Sequence, residues 1–211
     1  MSLTTIETHK TGRLATYGNP NASKVWWVLH GYGQLAPYFI KNFEDLNPEE
    51  NFVIAPEGLH RFYIKGTSGR VGASWMTKED RLTDIKDYVT FLDNCKQHFE
   101  GQLQPRKTIL LGFSQGVSTA GRWMGLGNIQ PDVFVNWAGV FPPDLDDSDL
   151  LRTKSIPHIF CIGDDDPYWS GEDIDRYNEK LKSTFISYQN INFKGKHQIT
   201  NEALDLLDKM V

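Results

Sequence analysis

Ile109-Leu110-Leu111-Gly112-Phe113-Ser114-Gln115-Gly116-Val117-Ser118 is an apolar run that breaks into a glycine-flanked serine. Gly112 to Gly116 fit G-x-S-x-G, the pattern of a buried strand turning sharply into a helix with the serine at the apex. Glycines two before and two after the serine let strand and helix approach closely. The turn lifts the Ser114 hydroxyl out of the sheet and aims the first N–H groups of the helix at whatever it attacks. The pattern by itself is common, and a glycine-rich turn with a solvated serine also fits it. Context favours the elbow: Thr108–Leu111 supplies the strand, and Gly116, Ser118, Ala120 and Gly121 suit the close-packed first turns of a helix.

Working outward, the chain alternates buried strands with helices. Val25–Leu29, Phe52–Ala55, Val133–Trp137 and Ile159–Gly163 are near-continuous apolar runs, as in strands covered on both faces. Helices are expected over Ala36–Leu46, over a stretch capped by Thr77 with Leu82, Ile85, Val89, Leu92 and Phe99 on its core stripe, over Gly171–Phe185, and over Asn201–Met210 with Ala203, Leu207 and Met210 on one face. Thr4–Tyr17 reads as a hairpin turning at Lys10-Thr11-Gly12. Residues 57–76, rich in glycine and aromatics, read as a long irregular segment, which is more often functional than idle. Ile186–Phe193 reads as a last strand, and Asp144–Asp149 as a solvated acidic surface. Strand and helix in alternation imply a mostly parallel central sheet with helices on both faces.

The bulk numbers bound the possibilities. At 211 residues the chain is expected to form one domain, 1–211, with a substantial core. Twenty-two basic against twenty-seven acidic residues leave −5, which argues against nucleic acid or an anionic membrane as partner. No apolar run is long enough for stable membrane insertion, and the polar N-terminus lacks a signal peptide's apolar core. Cys95 and Cys161 show no C-x-x-C or framework spacing and are read as free thiols, so a cytoplasmic location is expected. The His and Cys positions show no metal-ligand spacing, so neither metal nor cofactor is expected. The glycines of Gly121–Gly127 lack the preceding strand that a dinucleotide fingerprint requires.

A serine hydroxyl is a poor nucleophile and needs a base. On an elbow of this kind the partners follow in the order acid, then histidine. Of six histidines only His158 and His197 follow Ser114. Catalytic groups gather at the carboxyl ends of parallel strands. His158 enters its strand at the amino end, as a surface or strand-edge residue, whereas His197 lies in the loop after the last strand, on the same edge as Ser114. Asp164, Asp165 and Asp166 all follow a strand's carboxyl end, and spacing does not separate them; Asp144, after the preceding strand, is a remote fourth candidate. An oxyanion needs two donors: the Gln115 N–H after the nucleophile, and Tyr32 N–H in His30-Gly31-Tyr32-Gly33, the loop after the expected third strand.

These segments together resemble the α/β-hydrolase superfamily, and within it the phospholipase/carboxylesterase group that includes acyl-protein thioesterases. The matching residues span nearly the whole chain: His30-Gly31-Tyr32-Gly33, Ala55-Pro56-Glu57, Ser74-Trp75, Gly112–Gly116, Gly163-Asp164-Asp165-Asp166-Pro167 and Gly195-Lys196-His197. The resemblance implies an α/β-hydrolase fold, Asp166 as the acid, His197 as the base, and Tyr32 and Gln115 as oxyanion donors. The family usually carries leucine where Tyr32 stands and aspartate where Gln34 stands; both bear on substrate preference.

The expected activity is that of a metal-free serine esterase acting on a small-molecule ester, with an acyl thioesterase, a lysophospholipase or a non-catalytic ligand-binding relative as alternatives; a homodimer is compatible with it. Trp75, Phe141 and Trp169 follow strand carboxyl ends and are expected to contact the substrate. No insertion is long enough for a cap domain, so the site should be open on one side, and bulky aromatic rings at its mouth should favour short acyl groups.

Overall fold

A computed structural model describes residues 2–102 and 106–211. Among the described residues nine strands and six α-helices follow one another: β1 (Leu14–Gly18), β2 (Lys24–Leu29), α1 (Ala36–Phe39), β3 (Asn51–Pro56), β4 (His60–Tyr63), β5 (Val71–Ser74), α2 (Arg81–Phe99), β6 (Lys107–Phe113), α3 (Gln115–Leu126), β7 (Val133–Trp137), α4 (Asp147–Thr153), β8 (His158–Gly163), α5 (Gly171–Thr184), β9 (Tyr188–Phe193) and α6 (Asn201–Met210). Seven strands form one sheet in the order β1-β3-β2-β6-β7-β8-β9. All its neighbours are parallel except the β1–β3 edge pair. The central strands are apolar throughout because both faces are covered: every residue of β3, β7 and β8 is buried. α3 packs on β6, β2 and β7 with α2 and α4 beside it. Among the described residues no helix is long and apolar enough to cross a membrane.

The structure corrects several expectations. There is no hairpin over Thr4–Tyr17; only Leu14–Gly18 is a strand, paired with β3. Leu3 and Ile6, the apolar residues before it, are almost wholly exposed, so no burial offsets the cost of ordering a further strand. Val25–Leu29 therefore belongs to the second strand, not the third. Residues 57–76 are not irregular: β4 and β5 pair as an antiparallel hairpin, turned by Gly66 and Gly69 with positive φ. The expected helix over Ala36–Leu46 is one α turn continued by a 3₁₀ turn at Ile40–Phe43. Thr77 does not cap α2; Asp80 precedes it in a left-handed conformation (φ 48°), and Leu82 points outward. Met210 is part-exposed, and Leu204 takes its place beside Ala203 and Leu207 in the core. Asp144 is no solvated charge, since its carboxylate pairs with Arg122 and Arg81.

His158 is neither at the surface nor at an edge. It is 1% exposed, inside β8, and packed among Phe134, Phe141, Phe185 and Tyr188. Among the described residues neither ring nitrogen has a hydrogen-bond partner. Burial lowers its pKa from 6.5 to about 3, so the imidazole is held neutral.

Candidate active site

The β6–α3 turn is tight and strained. Ser114 has φ 54° and ψ −117°, outside the regions an L-residue normally occupies, at a cost of about 1–3 kcal/mol. The surrounding backbone fixes this conformation: Ser114 N–H donates to Trp137 O at 2.9 Å, and Ser114 O accepts from Val117 N–H at 3.0 Å. The flanking glycines are required by contact. A Cβ on Gly112 would lie 2.5 Å from Gly116 O, and one on Gly116 would lie 2.1 Å from Leu29 O. Ala138, after β7, is also left-handed (φ 53°), and the next residue, Gly139, passes so close that a Cβ would lie 2.4 Å from Ser114 O.

His197 stands in the loop after β9, and the loop after β8 holds it. Asp164 N–H donates to Phe193 O at 3.0 Å, Asp165 N–H donates to Gly195 O at 2.9 Å, and Gly195 N–H donates to Asp164 Oδ1 at 2.9 Å. Among the three aspartates the structure sets Asp166 against the imidazole: Oδ2 lies 2.7 Å from His197 Nδ1. Asp166 Oδ1 accepts the Tyr168 N–H at 2.9 Å. With a carboxylate as partner, Nδ1 carries the proton and Nε2 is left with its lone pair. Phe113 and Tyr168 flank the ring, with centroids 5.0 and 4.7 Å away. Asp165 points to solvent.

The loop after β2 brings Tyr32 to the same edge. The N–H groups on either side of it are occupied, Gly31 by Gln34 Oε1 at 2.8 Å and Gly33 by Ala73 O at 2.8 Å. Among the described residues the Tyr32 N–H has no such partner. The Gln115 N–H opens α3, where first-turn donors lack intrahelical acceptors. The Gln115 side chain reaches away from the cavity and ties α3 to the end of the β4–β5 hairpin, accepting from Trp75 N–H at 3.2 Å and donating to Met76 O at 2.9 Å. His30 braces the Tyr32 loop from beneath. Its Nε2 accepts from Gly58 N–H at 2.9 Å, so Nδ1 donates to Gly31 O at 2.7 Å, and burial lowers its pKa to about 4.

Ser114, Tyr32 and His197 line one cavity of about 790 Å³, walled further by Phe113, Val140 and Trp169. Tyr32 and Tyr168 at its rim are largely exposed. Two of the residues expected to contact substrate do not line it. Trp75 is fully buried, donating Nε1–H to His30 O at 2.8 Å against the His30 ring. Phe141 is buried against Phe134 and Phe185. Both lie in loops at the right edge, but their rings turn into the core. Val140 and one face of α5 line the cavity and were not expected; the α5 residues show a helical spacing, whereas nothing in the sequence singles out Val140. Among the described residues no group of three or more His, Cys, Asp or Glu side chains is placed to hold a metal ion.

Solved structures resemble nearly the whole chain. Acyl-protein thioesterase 2 from Zea mays is 19% identical, with 95% of this chain and 97% of that one covered at a TM-score of 0.69. A phospholipase/carboxylesterase from Dyadobacter fermentans is 17% identical, with 97% of each chain covered at 0.67. A carboxylesterase from Bacillus cereus is 15% identical, with 94% of this chain and 92% of that one covered at 0.66. At these identities the likeness shows the fold, which is the α/β-hydrolase fold. No protein-family model and no curated protein matches the sequence.

Proposed function

We propose that this chain is a serine hydrolase of carboxylic esters. The observation that carries the reading is the Asp166–His197 contact at 2.7 Å, facing the same cavity as a serine held on a strained elbow. Ser114 Oγ attacks the ester carbonyl carbon while His197 Nε2 takes its proton. The carbonyl oxygen becomes an oxyanion facing the Tyr32 and Gln115 N–H groups. Collapse expels the alcohol, which receives the proton from His197 and leaves an acyl group on Ser114. Water then attacks the acyl carbon, giving up a proton to His197. The acid departs and Ser114 regains its proton. Asp166 holds the imidazole in the required tautomer throughout.

The substrate proposed is a small ester with a short acyl group, bound beside Trp169 and Val140. Nucleic acid, metal, cofactor and membrane insertion play no part in the proposal. Two free, buried cysteines support a reducing, cytoplasmic setting. Thioester hydrolysis is the second reading, because a thioester offers the same carbonyl and one of the similar structures is an acyl-protein thioesterase. A panel of p-nitrophenyl esters and acyl thioesters, run with wild type and Ser114→Ala, tests both. Turnover lost in Ser114→Ala supports the reading, and no turnover of any substrate contradicts it.

A further inference from the structure

One face of α5 forms a wall of the catalytic cavity. Asp173, Arg176, Tyr177 and Lys180 all line it, at the i, i+3, i+4, i+7 spacing of a single helical stripe. The stripe is held in register. Ser170 and Asp173 close a capping box at the helix start. The Tyr177 hydroxyl accepts from Phe141 N–H at 2.6 Å and from Asn136 Nδ2 at 3.0 Å. The helix face is therefore fixed in place, and its exposed Arg176 and Lys180 border the cavity.

Those charges do not balance. The Asp173 carboxylate accepts from the Ser170 hydroxyl at 2.7 Å and pairs with the Arg176 guanidinium. Arg176 is thereby largely neutralised. The nearby Glu179 is taken by Lys182 at 2.8 Å. Lys180 forms no ion pair among the described residues, so the wall keeps a single positive charge in a chain whose net charge is −5. Lys180 also lies about 10 Å further along the helix than Asp173, at roughly 1.5 Å per residue. Lys180 lines the same cavity as Ser114, so a group bound there is a part of the substrate other than the carbonyl held at Ser114.

We propose that Lys180 receives a carboxylate carried by the substrate at a distance from the scissile ester, so that half-esters of dicarboxylic acids are preferred over neutral esters. One positive charge matches one carboxylate better than a phosphate dianion. The proposal rests on the ester-hydrolase reading, but binding can be measured apart from turnover.

The test uses Ser114→Ala protein, with p-nitrophenyl hemiadipate and its methyl-capped neutral diester as probes. The hemiester should bind about tenfold more tightly, a difference of roughly 1.4 kcal/mol. Lys180→Glu should abolish or invert the preference, and Lys180→Arg should restore it. Raising ionic strength to roughly 0.5 M should shrink it, as for a partly exposed charge pair. Equal affinity for the two probes, failure of both to bind, or a preference that survives Lys180→Glu would mean a solvated lysine only and overturn the proposal. If the hemiester preference holds while wild type turns over no ester, the hydrolase reading fails and the anion site stands.

Discussion

Asp166 Oδ2 lies 2.7 Å from His197 Nδ1, and the other oxygen of the same carboxylate accepts the Tyr168 N–H. Both oxygens are thus occupied, and the imidazole is held in one tautomer. Asp166→Asn presents an amide that can favour the wrong tautomer, and kcat should fall by about 10⁴, as for the aspartate of other triads. Asp164→Asn keeps an oxygen for the Gly195 N–H, and Asp165→Asn changes a solvated group, so each should cost far less. Steady-state kinetics of the three variants check this. A crippled Asp164→Asn beside an active Asp166→Asn would contradict the assignment.

Gly116 is expected to tolerate no side chain. A Cβ there would lie 2.1 Å from Leu29 O, in the backbone of a central strand that cannot yield cheaply. Gly116→Ala should lose about 3 kcal/mol or more of stability by denaturant titration. Gly171→Ala, which meets nothing within 4 Å, should stay within about 0.5 kcal/mol of wild type.

Two buried neutral histidines set the acid limb of stability. His158 is lowered to about 3 and His30 to about 4, each by burial. An unfolded histidine protonates near 6.5, so between that pH and the folded values the unfolded chain binds more protons. Their stability contribution is full above about pH 6.5 and is lost as pH falls towards 4 and then 3. His158→Phe, which keeps the aromatic packing, should flatten the fall in unfolding free energy between pH 6.5 and 4, a change on the order of a few kcal/mol. An unchanged slope in pH-dependent denaturation would contradict it.

Acyl preference is the fourth prediction. With Trp169 and Val140 lining the cavity that holds Ser114, kcat/KM for p-nitrophenyl esters should peak in the roughly C2–C6 range and decline towards palmitoyl, modestly, because each methylene contributes only about 1 kcal/mol. A rise that continues past about ten carbons would favour the thioesterase or lysophospholipase reading.

What could be read from the sequence follows a physical line. β2, β3, β6, β7 and β8 were legible because burial on both faces leaves continuous apolar runs. The elbow was legible because only glycine satisfies the contacts at Gly112 and Gly116. His197 and the aspartate loop were legible from chain order. The choice of Asp166 over its neighbours came from the family resemblance, since all three leave β8 at the same edge and differ only in side-chain direction. The β4–β5 hairpin was missed because Gly66, Gly69 and Gly72 mask its alternation. Trp75 and Phe141 were misplaced because nothing local tells a ring at a strand end whether to face the cavity or the core. His158 was misjudged for the same reason: its surroundings come from Phe134, Phe141 and Phe185, all distant in sequence.

The central claim is that Ser114 is an activated nucleophile. Intact-protein mass spectrometry after exposure to a fluorophosphonate tests it most directly. Wild type should gain one phosphonyl adduct, located on Ser114 by peptide mapping, and lose ester turnover in step with labelling. Ser114→Ala should gain none. No adduct on folded wild-type protein, or wild-type turnover by Ser114→Ala, would contradict the account.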